Sequence, residues 1–539
     1  MSRASLRGTT PTAAYDAIVI GAGHNGLVCA AYLARAGKRV LVLERRPVLG
    51  GACVTEELWP GFQVSVCAYV NSLFRPEIIR DLELKRHGFQ MLPRKPSSFT
   101  PFPDGRYLLL GPDPALNYRE ISKFSRRDAE AYPRYERWLE EIAGFLEPTL
   151  VQTPPDPWSN RWRDWTSTFG LGWRFRSLGR EKGHRVVEIL TAPARRILDR
   201  WFESEELKVT LATDAIIGAL ASPSQPGTAY VLFHHVMGEC DGVRGVWGYV
   251  QGGMGALSLA ISRAAQEFGT TILTQAEVTR ILIEHDQARG VALADGREFR
   301  SRVVVSNADP HVTFLRLCEP KMLPHEFTDL IRRLDFSSAS MKINLALAEA
   351  PNFTALPGND QGQLHGTIHL CPSFDYMEQA YDDAKYGRPS QGPILEITVP
   401  SMVDATIAPP GQHIMSLFVQ YAPYHLRAGH WDELKEQFAD RCLEIVGQYA
   451  PNVPRAVLHR QVLSPLDLER EFSLTGGNIF HGAMTLSQLF CFRPVPGYAN
   501  YRTPIRGLYL CGAGTHPGGG VMGACGYNAA REILRDGLC

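Results

Sequence analysis

Three glycines at a fixed spacing, an acid, and a second glycine pair carry the first recognisable chemistry in this chain. Gly21, Gly23 and Gly26 form G-x-G-x-x-G, Glu44 follows 23 positions after Gly21, and Gly50-Gly51 follows six positions after the acid. In such a run the first glycine permits a tight turn, the second lets backbone approach a pyrophosphate, and the third lets a helix pack closely on a strand. Free N–H groups at the helix start, reinforced by the helix dipole, favour phosphate. The Glu44 carboxylate can accept hydrogen bonds from ribose hydroxyls and would repel a 2′-phosphate, which disfavours NADP. The second glycine pair lets backbone reach the same pyrophosphate from its other side. A glycine-rich turn without a ligand would explain the first three glycines but not the acid or the pair that follows.

These residues need a strand–helix–strand frame, and the flanking sequence supplies one. Asp16–Ile20 reads as a buried parallel strand, Leu27–Ala36 as a helix ended by Gly37, and Arg39–Glu44 as the second strand. From about residue 86 the text changes: Pro, Arg and Trp become frequent, Arg134–Phe145 and Glu205–Leu220 read as helical, and Pro154-Pro155-Asp156-Pro157 is a rigid break. Near Gly252 the α/β pattern returns. Gly255–Phe268 reads as a helix, and Thr271–Leu273, Val278–Glu284, Gly290–Leu293 and Val303–Ser306 as strands, with Asp295-Gly296 as a hairpin turn between the last two. Lys342–Ala348, Ile394–Val399 and His413–Gln420 are further strands and 431–449 a helix. Gly507–Cys511 is a last strand and Gly526–Leu534 a closing helix. The pattern predicts an α/β protein of two interleaved domains. A discontinuous Rossmann-type nucleotide domain takes 15–85, 240–325 and 465–539. An α+β substrate domain takes 86–239 and 326–464, and residues 1–14 form a disordered tail.

Composition narrows the function. Of 539 residues, 45% are hydrophobic and 21% charged, an ordinary globular balance. The 56 basic residues equal the 56 acidic ones, which argues against a nucleic-acid surface. No run approaches the roughly 18 apolar residues of a spanning helix. Eleven widely spaced cysteines include no C-x-x-C pair, so neither a zinc knuckle nor dithiol chemistry is expected, and no metal site is. Gly252-Gly253-Met254-Gly255 is the nearest approach to a second dinucleotide turn; lacking a convincing strand before it, it reads as a helix entry. The N-terminal stretch carries Arg3 and Arg7 and no acid before Asp16, faintly like a transit peptide and equally like a plain tail. The expected location is cytoplasmic, with membrane association, or the mitochondrial matrix in a eukaryote.

Glycine turn, acid and second glycine pair together resemble the FAD-binding signature of the flavin oxidoreductases that include amine oxidases and phytoene desaturases; nicotinamide dehydrogenases generally stop at the acid. The C-terminal stretch NYRTPIRGLYL followed by CGAGTHPGGGVMGACGYNAA (Cys511–Ala530) is similar to the C-terminal flavin segment of phytoene desaturases. VVVSNADP (Val303–Pro310) is similar to their middle segment, and Val278 matches the position beside adenine. GAGHNGLV, the ERR and GGA-x-VTEE runs, and GNIFHGAM (Gly477–Met484) carry a finer likeness within the family. The resemblance implies retained FAD. It implies cofactor contacts from His24, Asn25, Arg45 and Gly512, and bare N–H groups near Val521 and Met522 that would stabilise negative charge on the reduced ring. Ala52 stands where many relatives have arginine, so no arginine contact to phosphate is expected there. Arg493, His481 and His516 fall in segments that resemble flavin-facing parts of the family and are the candidates at the reacting ring, with Arg493 either polarising a substrate or forming a structural pair. None of these, nor His24, is expected to transfer a proton.

The implied reaction is hydride transfer between flavin and a C–H or C=C bond of an apolar small molecule, carotenoid-, retinoid- or lipid-like, with oxygen or a quinone accepting the electrons. The alternative is a non-catalytic protein on the same fold, resembling Rab GDP-dissociation inhibitors or a mitochondrial regulator. One feature lies outside this scheme. Trp158, Trp162 and Trp165 recur at helical spacing, Trp173 follows, and 158–180 holds five arginines against one acid. This segment reads either as a helix buried against the substrate domain or as a membrane-interface or lid segment.

Overall fold

The computed structural model describes residues 15–240 and 242–539; the expected tail at 1–14 lies outside the described residues. Its first sheet has five short parallel strands in the order Thr271–Leu273, Val40–Leu43, Ala17–Ile20, Val304–Ser306, Leu508–Leu510. Strands so apolar and without alternation must be covered on both faces. On one face lie the helices His24–Arg35, Met254–Glu267 and Ala524–Asp536, packed on Ala17, Val19, Val40 and Val42. On the other, Ile18, Ile20, Leu41 and Leu43 meet the antiparallel sheet of Val278–Glu284, Gln287–Leu293 and Glu298–Arg300. The strands at 304–306 and 508–510 are neighbours in this sheet although the chain between them builds most of a second one.

That second sheet has seven strands in the order Val457–Leu463, Ser340–Leu347, His413–Gln420, Ile394–Thr398, Thr367–Leu370, Ser98–Pro101, Tyr107–Leu110. It is antiparallel except where Thr367–Leu370 runs parallel to Ser98–Pro101. Helix Trp431–Tyr449 covers one face, with Phe438, Cys442 and Val446 among Ile343, Leu345, Ile397 and Leu417. A helical layer that includes Arg126–Leu150, Gly179–Thr191 and Thr228–Val236 forms a separate apolar cluster.

Four expectations need correction. The Asp295-Gly296 turn joins Gln287–Leu293 to Glu298–Arg300, while Val304–Ser306 belongs to the parallel sheet; the intervening three-residue strand is too short and polar to register by pattern. The helix expected at Arg134–Phe145 runs Arg126–Leu150, through Pro133 and Pro148, because the Ser125 hydroxyl caps the Asp128 N–H and starts it earlier. Glu205–Leu220 is not one helix: Glu205–Ala212 ends, a single 3₁₀ turn covers Thr213–Ala215, and the break carries Asp214. The tryptophan segment forms helix Trp162–Ser177 with no buried residue: Leu171 and Phe175 rest on the helical layer while the tryptophans stay open to solvent, so it lies on the substrate domain and is not buried in it. Gly248–Val250 pairs antiparallel with Met91–Pro93 before helix Met254–Glu267, so the glycine run between them is a helix entry.

Candidate active site

Helix His24–Arg35 begins directly on the glycine turn. Its capping residue is Gly23, which offers no side chain to the first N–H groups, so these remain available. Gly21 has φ +90° and its carbonyl oxygen would lie 2.3 Å from a Cβ on Gly26; the turn closes only with glycine at both places. The Gly50 N–H donates to the Ala22 carbonyl (2.9 Å) and Gly23 bridges Gly50, which brings the second glycine pair against the first. Glu44 directly follows the second strand, its carboxylate held by two backbone donors, Ala22 N–H to Oε2 (2.8 Å) and Arg46 N–H to Oε1 (2.9 Å). That leaves acceptor capacity for hydroxyl donors. Val278 packs with Ile20 and Leu43 at the same end.

The C-terminal segment closes on this turn. Gly526 approaches Asn25 so tightly that a Cβ there would lie 2.0 Å from the Asn25 carbonyl oxygen, and the Gly526 N–H reaches Asn25 Oδ1 at 3.5 Å. Gly512 packs with similar intimacy on the Asn307 carbonyl. Chain ends some 500 residues apart therefore share one junction. Beyond it a cavity of about 370 Å³ opens, lined at this end by His24, Ala52, Ala513, Val521 and His481. Both histidines are half-buried, and their inner ring nitrogens, His24 Nε2 and His481 Nδ1, are shut off from solvent with no hydrogen-bond partner. Burial lowers His24 to about 4 and lowers His481 too, so both rings are neutral near pH 7. Buried polar atoms without partners are costly unless a bound group supplies them. The bare helix start, the paired glycine approaches and these two ring nitrogens fit an FAD laid from Glu44 to Val521.

Not every expected residue arrives there. Arg493 is buried but does not line the cavity. Its guanidinium donates to the carbonyls of Ala513, Ala483, Gln488, Phe480 and Gly482, which leaves no donor for a substrate. Burial without a carboxylate partner lowers it to about 10. The reading of Arg493 as a catalytic candidate is corrected: it ties the 480–488 loop to the 513 loop. His516 is likewise outside the cavity, its Nε2 held at 2.9 Å from the Thr149 carbonyl. Arg45 is exposed and donates to the Arg470 and Glu471 carbonyls, away from the glycine turn. The Met522 N–H is not bare, since it donates to the Gly520 carbonyl (3.0 Å), whereas Val521 faces the cavity.

Sequence reasoning missed the other wall. Lys342 pairs with Phe418, Phe418 with Glu396, and Glu396 with His369, across four neighbouring strands. Residues in register share a sheet face, and all four line the cavity. Lys342 is buried, its Nζ has no hydrogen-bond partner, and it lies 3.7 Å from the centre of the Tyr69 ring. Tyr69 donates its hydroxyl to Glu396 Oε1 at 2.7 Å. Burial lowers Lys342 to about 7, raises Asp214 to about 7, and raises Glu396. The signal was present: Lys342, Glu396 and His369 are titratable residues inside the largely apolar strands SMKINLAL, ILEIT and TIHL, and only the register shows that they share one face.

The profile of the family described as flavin containing amine oxidoreductase matches residues 26–534. The chain is 50% identical to the rat pyridine nucleotide-disulfide oxidoreductase domain-containing protein 2, across 97% of this chain and 94% of the relative. It is 26% identical to a lycopene-forming phytoene desaturase of a Paracoccus species, across 98% of each. Among solved structures, cyclohexylamine oxidase from Brevibacterium oxydans shares the fold, with a TM-score of 0.55, 16% identity, and 97% and 98% of the two chains covered.

Proposed function

This chain belongs to the flavin-containing amine oxidoreductase family, uses FAD, and is an oxidoreductase; we propose that it exchanges hydride with a C–H or C=C bond of a largely apolar or amphipathic small molecule. The observation that carries this is one continuous cavity, with His24 and Val521 on its cofactor side and the Lys342 row of the second sheet along another wall. The likeness to a phytoene desaturase supports carbon–carbon chemistry. Oxygen or a quinone is the proposed electron acceptor. A purely binding role is not favoured, because it gives no use to a bare phosphate turn, an anchored acid and a cavity behind them.

Bound FAD supplies two-electron transfer at its ring; the chain supplies everything around it. The glycine turn and Glu44 would hold the two ends of the dinucleotide. Neutral His24 and His481 would offer ring nitrogens without placing positive charge there. Lys342 switches between amine and ammonium near pH 7, so it can take or hold a proton at Nζ beside the reacting carbon. Tyr69 orients that amine and is fixed by Glu396. Burial of these groups keeps water from the reacting atoms. Purified chain mixed anaerobically with lipids, polyenes and amines tests the reading: at least one class should bleach the flavin bands. A colourless protein, or flavin that none of the panel reduces, would overturn it.

A second observation supports work at a lipid surface. Trp158, Trp162 and Trp173 are 73%, 82% and 74% exposed, and Trp165 and Phe169 are also open to solvent. Arg161, Arg174, Arg176 and Arg180 flank them, with Asp164 and Glu181 as the nearby acids. Aromatic anchors among arginines match an anionic headgroup layer. No helix among the described residues is long and apolar enough to cross a membrane, so the proposed mode is attachment. Flotation with vesicles containing phosphatidylserine should carry the protein up, and should fail once the three outermost tryptophans are changed to serine.

A further inference from the structure

The floor of the cavity is not that of a chamber for a neutral hydrocarbon. At the end away from Lys342 sits Arg94, 4% exposed and facing the cavity. Its Nε donates to the Trp247 carbonyl at 3.2 Å and its Nη1 to the Thr367 hydroxyl, and the guanidinium lies 5.8 Å from the Tyr249 ring centre. Each of these partners is neutral. Among the described residues no carboxylate lies within ion-pair distance of Arg94, and its remaining side-chain neighbour is the neutral Tyr249 hydroxyl. The nearest acids are Asp214 and Glu396, both of which burial pushes toward the protonated form. At the other end, Lys342 Nζ is buried and without a partner. Two cationic side chains therefore face one cavity whose acids are held toward neutrality. A buried charge without a partner is expensive, and the guanidinium fork matches a carboxylate in plane and spacing.

The register gives a length. Lys342, Phe418, Glu396 and His369 occupy successive strands, and Thr367, which holds Arg94, lies two residues from His369 on the same face. Three strand spacings separate the ends of this row by roughly 14 Å. Lys342 lies beside Cys67, whose neighbour Ala68 bonds the Ala52 carbonyl just past Gly50-Gly51, so Lys342 marks the cofactor end. We infer that the substrate carries a carboxylate seated on Arg94, with an apolar body on the order of 14 Å long reaching the reacting position beside Lys342. Arg94 is thus assigned a role in specificity. This rests on the oxidoreductase reading and adds the class of molecule.

The test is calorimetric titration of the flavin-loaded full-length protein with decanoate, decanamide and decylamine, which share one chain and differ in the head group. Decanoate should bind at least tenfold tighter than decanamide, and decylamine weakest. Arg94→Met should bring decanoate and decanamide within threefold of each other, and Arg94→Lys should restore part of the gap. Comparing the three ligands on the unaltered protein needs no variant to fold. Decanamide or decylamine binding as tightly as decanoate, no detectable binding of decanoate, or a preference that survives Arg94→Met would each overturn the inference. Failure of the oxidoreductase reading looks different: flavin is absent, or no compound bleaches it, whatever the order of these affinities.

Discussion

Lys342→Met is the sharpest perturbation available. Burial lowers the Lys342 ammonium from 10.5 to about 7, and each tenfold change in proton affinity corresponds to about 1.4 kcal/mol. Holding the cation in the folded state therefore costs about 5 kcal/mol at and below pH 7. The contact with the Tyr69 ring at 3.7 Å, which methionine forfeits, offsets about 1–2 kcal/mol of a variant's gain. The variant should thus be more stable by about 3–4 kcal/mol at pH 6.5. The sign with pH follows from proton counts. Between about 7 and 10.5 the unfolded lysine holds a proton that the folded one has lost, so the parent gains stability as pH rises through that window. The variant's advantage should shrink by about 1.4 kcal/mol per pH unit above 7. Urea unfolding of both proteins at pH 6.5, 7.5 and 8.5 measures this. A variant less stable than the parent at pH 6.5, or a difference that stays flat across the series, would refute the placement of an unpaired buried amine.

Three further outcomes follow from the geometry. Arg493→Ala leaves five buried carbonyls without their donor, so it should lower stability by more than about 3 kcal/mol and release FAD, read as the ratio of flavin to protein absorbance. Retained FAD with only slowed reduction would restore a substrate role. Gly26→Ala puts a methyl group 2.3 Å from the Gly21 carbonyl and should abolish flavin retention while the second sheet still folds, as circular dichroism would register. Serine at Trp158, Trp162 and Trp173, all exposed, should shift the unfolding free energy by no more than about 0.5 kcal/mol per site while eliminating vesicle binding; a large loss of stability would mean that the segment is held by contacts of those rings.

How much was legible in the sequence depended on range. The parallel strands announced themselves as unbroken apolar runs, and Thr271–Leu273, Val278–Glu284 and His413–Gln420 fall where their patterns put them. The glycine turn was readable because its chemistry is local: spacing alone dictates which residue can sit there. Arg493 was misread because its role comes from carbonyls on two loops that only the fold brings together. Met522 failed for a subtler reason, a single turn that bends its N–H back onto Gly520. The Lys342 row was invisible for the opposite reason to the glycine turn. Its polar members, Lys342, Glu396 and His369, each stand in a largely apolar strand, and their meaning lies in the register of four strands drawn from more than 70 residues.

The account stands on one arrangement, in which the first glycine turn and the C-terminal Gly512–Met522 segment enclose FAD and present its ring to the Lys342 row. Crystals of the yellow full-length protein would test it directly. Electron density should show the dinucleotide phosphates at the start of helix His24–Arg35 and the ring between His481, Ala513 and Val521, with Lys342 on the substrate side. A ring bound elsewhere, or a cavity filled by side chains where the ring should lie, would contradict it.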